Sequence, residues 1–296
     1  MSNNFITGST GFVGKNIINF FEKKTKFSIF KNGDKIKINE NIVLHFAGKA
    51  HDLKNTIKTK EYYEVNTELT IRIFDAFLNS GAKVFITLSS VKAAADNLSC
   101  ELTEEFIPNP ITDYGKSKLL AEQYILSKEI PLGKRVYILR PCMIHGPGNK
   151  GNLNLLYNIV NKGIIWPFGV YENKRSFCSI DNLCFIIDEL IMNDQIPSGV
   201  YNVADDEPIS TNELINLISE SQGKKSSIWN VPKYLVNTFA KIGDILKLPL
   251  NSERLVKLTE SYIVSNNKIK NAINKPFPLS SRDGLTNTIN SFKINA

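Results

Sequence analysis

Tyr114 and Lys118 stand four residues apart in the stretch Tyr114-Gly115-Lys116-Ser117-Lys118. On a helix that spacing puts both side chains on one face, only about 40° apart around the axis. A phenol with an ordinary pKa of about 10 exchanges protons poorly at neutral pH, but a nearby ammonium favours the phenolate and brings it into range for general acid/base work. The pair therefore predicts proton transfer. A second feature lies at the N-terminus, where Gly8-Ser9-Thr10-Gly11-Phe12-Val13-Gly14 follows strand-like Phe5-Ile6-Thr7 and leads into Ile17, Ile18 and Phe21 at helical spacing. Glycines at such a strand-to-helix turn let the backbone approach a pyrophosphate, which then lies over the amides at the positive end of the helix. Taken singly, the Tyr-Lys pair matches many solvated surface pairs and the glycines match an ordinary turn. In this order along one chain they predict hydride transfer with a bound dinucleotide.

Positioning those residues requires alternating strands and helices. Short apolar runs fall at Phe27-Ser28-Ile29-Phe30, Ile42-Val43-Leu44-His45-Phe46, Val84-Phe85-Ile86-Thr87-Leu88 and Arg135-Val136-Tyr137-Ile138-Leu139. Helical patterns separate them, around Tyr62 to Leu78 and from Tyr114 to about Leu126. Nearly continuous apolar strands between helices imply a parallel sheet covered on both faces. The expected fold is thus α/β, a doubly wound parallel sheet of Rossmann type with a smaller C-terminal substrate-binding lobe. Residues 1–145 form the expected dinucleotide-binding domain, and 146–296 the lobe, with some segments returning to the sheet. Ligands of such sheets bind beyond the carboxyl ends of the strands, where Gly8, Phe46, Ser89, Ser90 and Pro141 fall. From the Gly146-Pro147-Gly148-Asn149-Lys150-Gly151 loop onward, helices are expected at about Thr211 to Ser221, Lys233 to Leu246 and Ser281 to Ser291, with one more strand at Val200-Tyr201-Asn202-Val203. The amphipathic stretch Trp229 to Leu248 reads as a lobe helix with a buried apolar face, the alternative being a membrane-surface helix.

At 296 residues, 42% hydrophobic and 22% charged, the chain can bury a sizeable core. It has no apolar run of the roughly 18 to 20 residues that span a bilayer, and Met1-Ser2-Asn3-Asn4 is no signal peptide, so a cytoplasmic location without membrane insertion is expected. Cys100, Cys142, Cys178 and Cys184 are too sparse for a disulfide scaffold and match no zinc spacing; they are expected to be reduced, with no metal site. His45, His51 and His145 form no motif. The net charge of +7 suits a phosphate-bearing partner. The densest basic group, Lys54 to Lys60, lacks interleaved aromatics for stacking bases, so a nucleotide ligand is expected and nucleic acid is not.

With Gly8, Gly11, Gly14, Ser90, Tyr114 and Lys118 in hand, nearly the whole chain resembles the extended short-chain dehydrogenase/reductases, and more narrowly the NAD-dependent epimerase/dehydratase family that modifies nucleotide sugars. The resemblance implies catalytic roles for Tyr114, Lys118 and Ser90. It implies that Gly8, Thr10, Gly11, Phe12, Val13, Gly14, Phe46, Ala47, Gly48, Asn66, Lys118 and Pro141 line the cofactor. Lys92, Met143, Asn152, Leu153 and Arg175, with Ser90, fall on the family's substrate segments. There Arg175 would pair with phosphate oxygens in the charge-assisted way that guanidinium favours. The resemblance also implies a homodimer.

Two departures refine it. The family's NAD users carry an acidic residue at the end of the second strand, whereas this chain reads Lys31-Asn32, with Asp34 only further on. Lys31 suits a ribose phosphate, so the cofactor is NAD or NADP with NADP ahead. Met143 stands where many epimerases and dehydratases have Asn, which removes a polar sugar contact. No Asp-Glu pair follows Ser90, since the residues are Val91-Lys92-Ala93, and dehydration is therefore not expected. The subgroup that this pattern is most similar to contains bacterial polysaccharide enzymes, C4 epimerases and 4-keto reductases of UDP-sugars. The expected reaction is hydride transfer at C4 of a UDP-hexose or UDP-N-acetylhexosamine, with a 4-keto reductase ahead of a UDP-glucose or UDP-N-acetylglucosamine 4-epimerase. A non-catalytic dinucleotide-binding sensor is the rival from another class, and the intact Ser-Tyr-Lys set argues against it.

Overall fold

The computed structural model describes residues 3–31, 33–49, 58–149, 152–246 and 251–294. Asn32, His51, most of the Lys54 to Lys60 run, Lys150 and Gly151 lie outside the described residues, as does the side chain of Asn152.

Six parallel strands form one sheet in the order β2-β1-β3-β4-β5-β8. They are β1 (Asn3–Thr7), β2 (Lys26–Ile29), β3 (Ile42–His45), β4 (Val84–Leu88), β5 (Arg135–Pro141) and β8 (Gly199–Val203). Two short strands, β6 (Met143–His145) and β7 (Phe177–Ser179), lie outside that sheet. The central strands are buried along nearly their whole length, as the unbroken apolar runs require when both faces are covered. Because β2 lies on one side of β1 and β3 on the other, the direction of winding reverses between β1 and β3. Their carboxyl ends open the crevice where doubly wound sheets bind ligands.

Helices cover the sheet. Helix α1 (Phe12–Phe21) leaves the glycine turn. A long helical stretch follows β3 as α2 (Thr59–Tyr62), a π-helical turn (Tyr63–Glu68) and α3 (Leu69–Leu78), and α4 (Asp113–Leu126) precedes β5. Under α3 the core is aromatic: the Phe74 and Phe85 rings meet edge to face at 5.0 Å, packed with Phe5, Phe77 and Ile138.

The chain divides into two compact units. The first contains 1–144, 180–204 and 264–278, and so takes in the whole sheet, α6 (Ile180–Met192) and α10 (Asn267–Ile273). The second contains 145–179, 205–263 and 279–296, with α5 (Asn152–Asn161), α7 (Thr211–Ser221), α8 (Lys233–Leu246), α9 (Ser252–Thr259) and α11 (Ser281–Ile294). Its core gathers Trp166, Phe168, Ile215, Val236, Ala240 and Leu255. Helix α8 is a lobe helix with a buried apolar face, as expected, but that face is a narrow seam of Val236, Ala240 and Gly243.

Candidate active site

The glycine turn is built to bring two backbones together. Gly8 has φ +71°, and a Cβ there would lie 2.4 Å from the Phe46 carbonyl carbon, so β1 can end against β3 only with glycine. A Cβ on Gly14 would fall 2.2 Å from the Gly8 carbonyl oxygen. Gly11 caps α1 with extended backbone and no side-chain hydrogen bond. The first amides of α1 are thus left without a side-chain partner, which is what an incoming pyrophosphate needs. The Thr7 hydroxyl accepts from the Ala47 amide at 3.1 Å and pairs with His45 Nδ1 at 2.7 Å, fixing the Phe46-Ala47-Gly48 wall. Thr10, Phe12 and Val13 sit at this turn and the start of α1. This set fits a dinucleotide.

Gly48 marks where the two halves of the motif meet. A Cβ added there would lie 3.0 Å from Lys118 Nζ and 3.2 Å from Asn66 Oδ1. Asn66 lies in the π-helical turn, buried, accepting from the Lys49 amide at 2.9 Å and donating to Ser117 Oγ at 3.0 Å. Widening by one residue in a helix re-aims a side chain, and such turns recur at functional sites. The sequence pointed to Asn66 by resemblance, but nothing in its helical periodicity announced the turn.

Helix α4 supplies Tyr114 and Lys118 from one face. Its N-terminus is capped by Thr112, whose hydroxyl accepts from the Gly115 amide at 3.2 Å. Asp96 holds Thr112 in turn, through the amide at 3.0 Å and the hydroxyl at 2.9 Å. Gly115 lets the helix lie on the turn Val91–Ala93, since a Cβ there would be 2.4 Å from the Lys92 carbonyl oxygen. That approach brings the Tyr114 phenol into hydrogen bonding with Ser90. Ser90 itself caps the turn by accepting from the Lys92 amide at 3.2 Å. Its neighbour Ser89 is buried, and among the described residues its Oγ has no hydrogen-bond partner. It borders a cavity of about 10 Å³ lined by Asn66, Thr87, Lys118 and Glu122 among others, room for about one water molecule.

The electrostatics correct one expectation. Burial pushes the Tyr114 phenol above its ordinary value; the hydrogen bond with Ser90 works downward, and the ring of Tyr62 nearby works upward. The Lys118 ammonium does not set this balance: it donates to the Leu88 carbonyl at 2.9 Å. Burial brings Lys118 itself down to about 8, against the charge of Glu122, which raises it. Desolvation of both groups thus outweighs the expected lowering of the phenol. Glu122, one turn beyond Lys118, is a residue that the sequence reading missed. It holds the guanidinium of Arg140 on β5 with contacts of 3.0, 3.1 and 2.5 Å, both side chains being buried. Its signal was available in the four-residue spacing that continues Tyr114, Lys118, Glu122.

Other expected positions are placed as follows. Lys31 is exposed just past β2 and its amide donates to Asp34 Oδ2 at 2.8 Å, so the only acidic side chain in that turn is engaged with backbone. Pro141 ends β5, and Met143 is half-buried at the start of β6. Lys92 Nζ donates to the Asp96 carbonyl at 2.5 Å. In the second unit, Asn152 begins α5 and Leu153 is buried. Arg175 donates from Nε to the Glu260 carbonyl at 3.2 Å and faces its carboxylate at 3.8 Å. Burial lowers its pKa, and Glu260 works against that. His145 is buried between Thr288 Oγ1 at 2.9 Å and Asp205 at 3.4 Å, and Asp205 also accepts from the Ser179 amide. No disulfide joins any of the four cysteines.

Residues 34–204 match the model of the "NAD dependent epimerase/dehydratase family". The chain is 29% identical to a UDP-glucose 4-epimerase of Vibrio cholerae, over 97% of this chain and 94% of that protein. It is 23% identical to a GDP-6-deoxy-D-mannose reductase of Pseudomonas aeruginosa, over 73% of this chain and 79% of that one. Among solved structures it is similar to MoeE5 in complex with UDP-glucuronic acid and NAD, with a TM-score of 0.76, 17% identity, and 99% of this chain and 100% of that one covered.

Proposed function

The chain belongs to the NAD-dependent epimerase/dehydratase family, and from that premise we propose that it transfers a hydride at C4 of a UDP-linked sugar, as a 4-keto reductase of a UDP-N-acetylhexosamine. The observation that carries the chemistry is the Tyr114–Ser90 hydrogen bond with Lys118 one turn along the same helix, beside Gly48 and Asn66. Nicotinamide, when bound, supplies the hydride. Ser90 holds the C4 oxygen of the ketone, and Tyr114 gives that oxygen its proton as the hydride arrives at carbon. The phenol is then reprotonated from water. Because burial keeps the phenol protonated at neutral pH, it is ready in the form that reduction uses. Lys118 holds the nicotinamide ribose, and Gly8 to Gly14 hold the pyrophosphate.

Lys31 supports NADP as the cofactor. Its charge is exposed at the end of β2, while Asp34 is engaged with the Lys31 amide. Arg175 and the start of α5 at Asn152 and Leu153 are assigned to the nucleotide diphosphate, and Lys92 and Met143 to the sugar side. Met143 leaves that side without the amide found in many epimerases. The same reading places the enzyme in the cytoplasm, as a homodimer making surface-polysaccharide precursors.

One observation favours a second reading, 4-epimerisation of UDP-glucose or UDP-N-acetylglucosamine: the Vibrio cholerae relative with that activity in its name aligns along 97% of the chain. An epimerase returns its hydride to the same sugar and gains from a cofactor that never leaves, whereas a reductase must exchange it. Protein purified without added cofactor is expected to be largely empty and to oxidise NADPH with a UDP-4-keto-6-deoxy-N-acetylhexosamine. Copurified NAD, with cofactor-independent interconversion of C4 epimers, would establish the epimerase instead.

A further inference from the structure

Helix α8 in the second unit carries two apolar stripes, and only one of them is used. At about 100° per residue, Val236, Ala240 and Gly243 fall within about 60° of each other; these are its buried residues, and Val236 and Ala240 join the Trp166 and Phe168 cluster. Leu235, Phe239, Ile242 and Leu246 form a second stripe about 100° further round, and they are 37%, 61%, 41% and 63% exposed. Tyr234 and Ile245, at 69% and 81%, widen it. A surface helix of an ordinary domain turns charged residues, not a second row of large hydrophobes, to solvent.

The surroundings of this stripe are basic. Residues 224–257 hold seven Lys or Arg against Asp244 and Glu253, a local net charge of +5 within a chain whose net charge is +7. Lys224, Lys225, Lys233 and Lys241 are exposed. Trp229, just before the helix, is 58% exposed. An apolar helix face with aromatic residues at its head and cations around it has the make-up of a helix that lies in the plane of a membrane interface.

We propose that the exposed face of α8 docks this protein on an anionic lipid surface, with Leu235, Phe239, Ile242 and Leu246 at the acyl boundary and the surrounding lysines on the head groups. The charge decides the occupant. A local +5 complements anionic lipid, and it opposes a second copy brought face to face. None of the residues assigned to catalysis lies on this helix, so docking leaves the chemistry in place.

Cosedimentation of the full chain with vesicles tests this. Wild-type protein is expected to pellet with vesicles of phosphatidylcholine and phosphatidylglycerol, to stay in solution with phosphatidylcholine alone, and to be released by salt. On binding, Trp229 fluorescence shifts to the blue while buried Trp166 contributes nothing new. Phe239→Glu, at an exposed site that should leave the thermal melt unchanged, is expected to weaken binding at least about tenfold. Lys224→Glu with Lys225→Glu tests the charge separately, without touching the helix. No binding to the anionic vesicles, or binding that both variants retain, overturns the proposal. So does a dimer in sedimentation velocity that Phe239→Glu dissociates while no vesicle is bound, which assigns the face to a second copy.

Discussion

Removing one oxygen atom from Tyr114 separates the proposed proton donor from the ring that packs against Tyr62 at 5.9 Å. Tyr114→Phe is expected to lower kcat by about 10² to 10⁴, or roughly 3 to 5 kcal/mol of barrier, with little change in substrate binding. Turnover near the wild-type rate would remove Tyr114 from the mechanism. Lys118 offers a test on stability rather than rate. Its folded pKa of about 8 lies below its ordinary 10.5, so between those values the unfolded chain binds the extra proton and stability rises with pH. Below about pH 8 the penalty for burying the charge is felt in full. Lys118→Met is therefore expected to raise Tm at pH 7, to flatten the rise in stability between pH 8 and 10.5, and to lose activity. A lower Tm at pH 7 in thermal scans would show that the ammonium stabilises the fold, and an unchanged slope that Lys118 does not carry the rise. Sequence spacing alone brought Tyr114 and Lys118 together on one helix face. It could not give the sign of the phenol shift, which depends on how much water the folded chain removes from the two groups.

Helix α4 is held at both ends by contacts distant in sequence. Thr112 and Asp96 fix its start, Gly115 fits it onto the turn at Lys92, and the Glu122–Arg140 pair ties its second half to β5. A buried carboxylate and guanidinium contribute little net stability as a pair, but removing one leaves the other charged and without its partner. Glu122→Leu is expected to destabilise the protein by about 3 to 5 kcal/mol. The double variant Glu122→Leu with Arg140→Met should recover most of that in urea unfolding. If the single variant is as stable as wild type, the pair does not anchor the helix. The elements themselves were largely legible: Val84–Leu88, Thr211–Ser221 and Lys233–Leu246 stand where periodicity placed them. Missed were α5, α6, α9 and α10. Helix α6, Ile180–Met192, buries Ile180, Leu183, Cys184, Ile186, Ile187 and Leu190, a broad apolar face whose few polar breaks blur the two-faced alternation that marks a surface helix.

All six strands of the main sheet were visible in the sequence, the central ones most plainly, since a strand covered on both faces needs no polar residues to interrupt it, whereas edge strand β2 is only half-buried. Their order was not, because pairing is decided by crossovers that no local pattern records. One residue does mark the crevice between β1 and β3: with φ +71° and no space for a Cβ, Gly8 ends β1 pressed against the backbone at Phe46. The second unit was less legible, as its segments 145–179, 205–263 and 279–296 are interleaved with those of the first. Arg175 of that unit, proposed above for the nucleotide diphosphate, already faces Glu260 at 3.8 Å, which shows why residue type alone does not assign such a role. What the whole molecule is proposed to do reduces to the destination of one hydride. The direct measurement is to supply NADPH deuterated at nicotinamide C4 with a UDP-4-keto-6-deoxy-N-acetylhexosamine and read the product by NMR and mass spectrometry. One deuterium at sugar C4 is expected for each NADPH oxidised by wild type, and none with Tyr114→Phe on the same timescale. Deuterium at another carbon, or sugar conversion with no deuterium transferred, would contradict it.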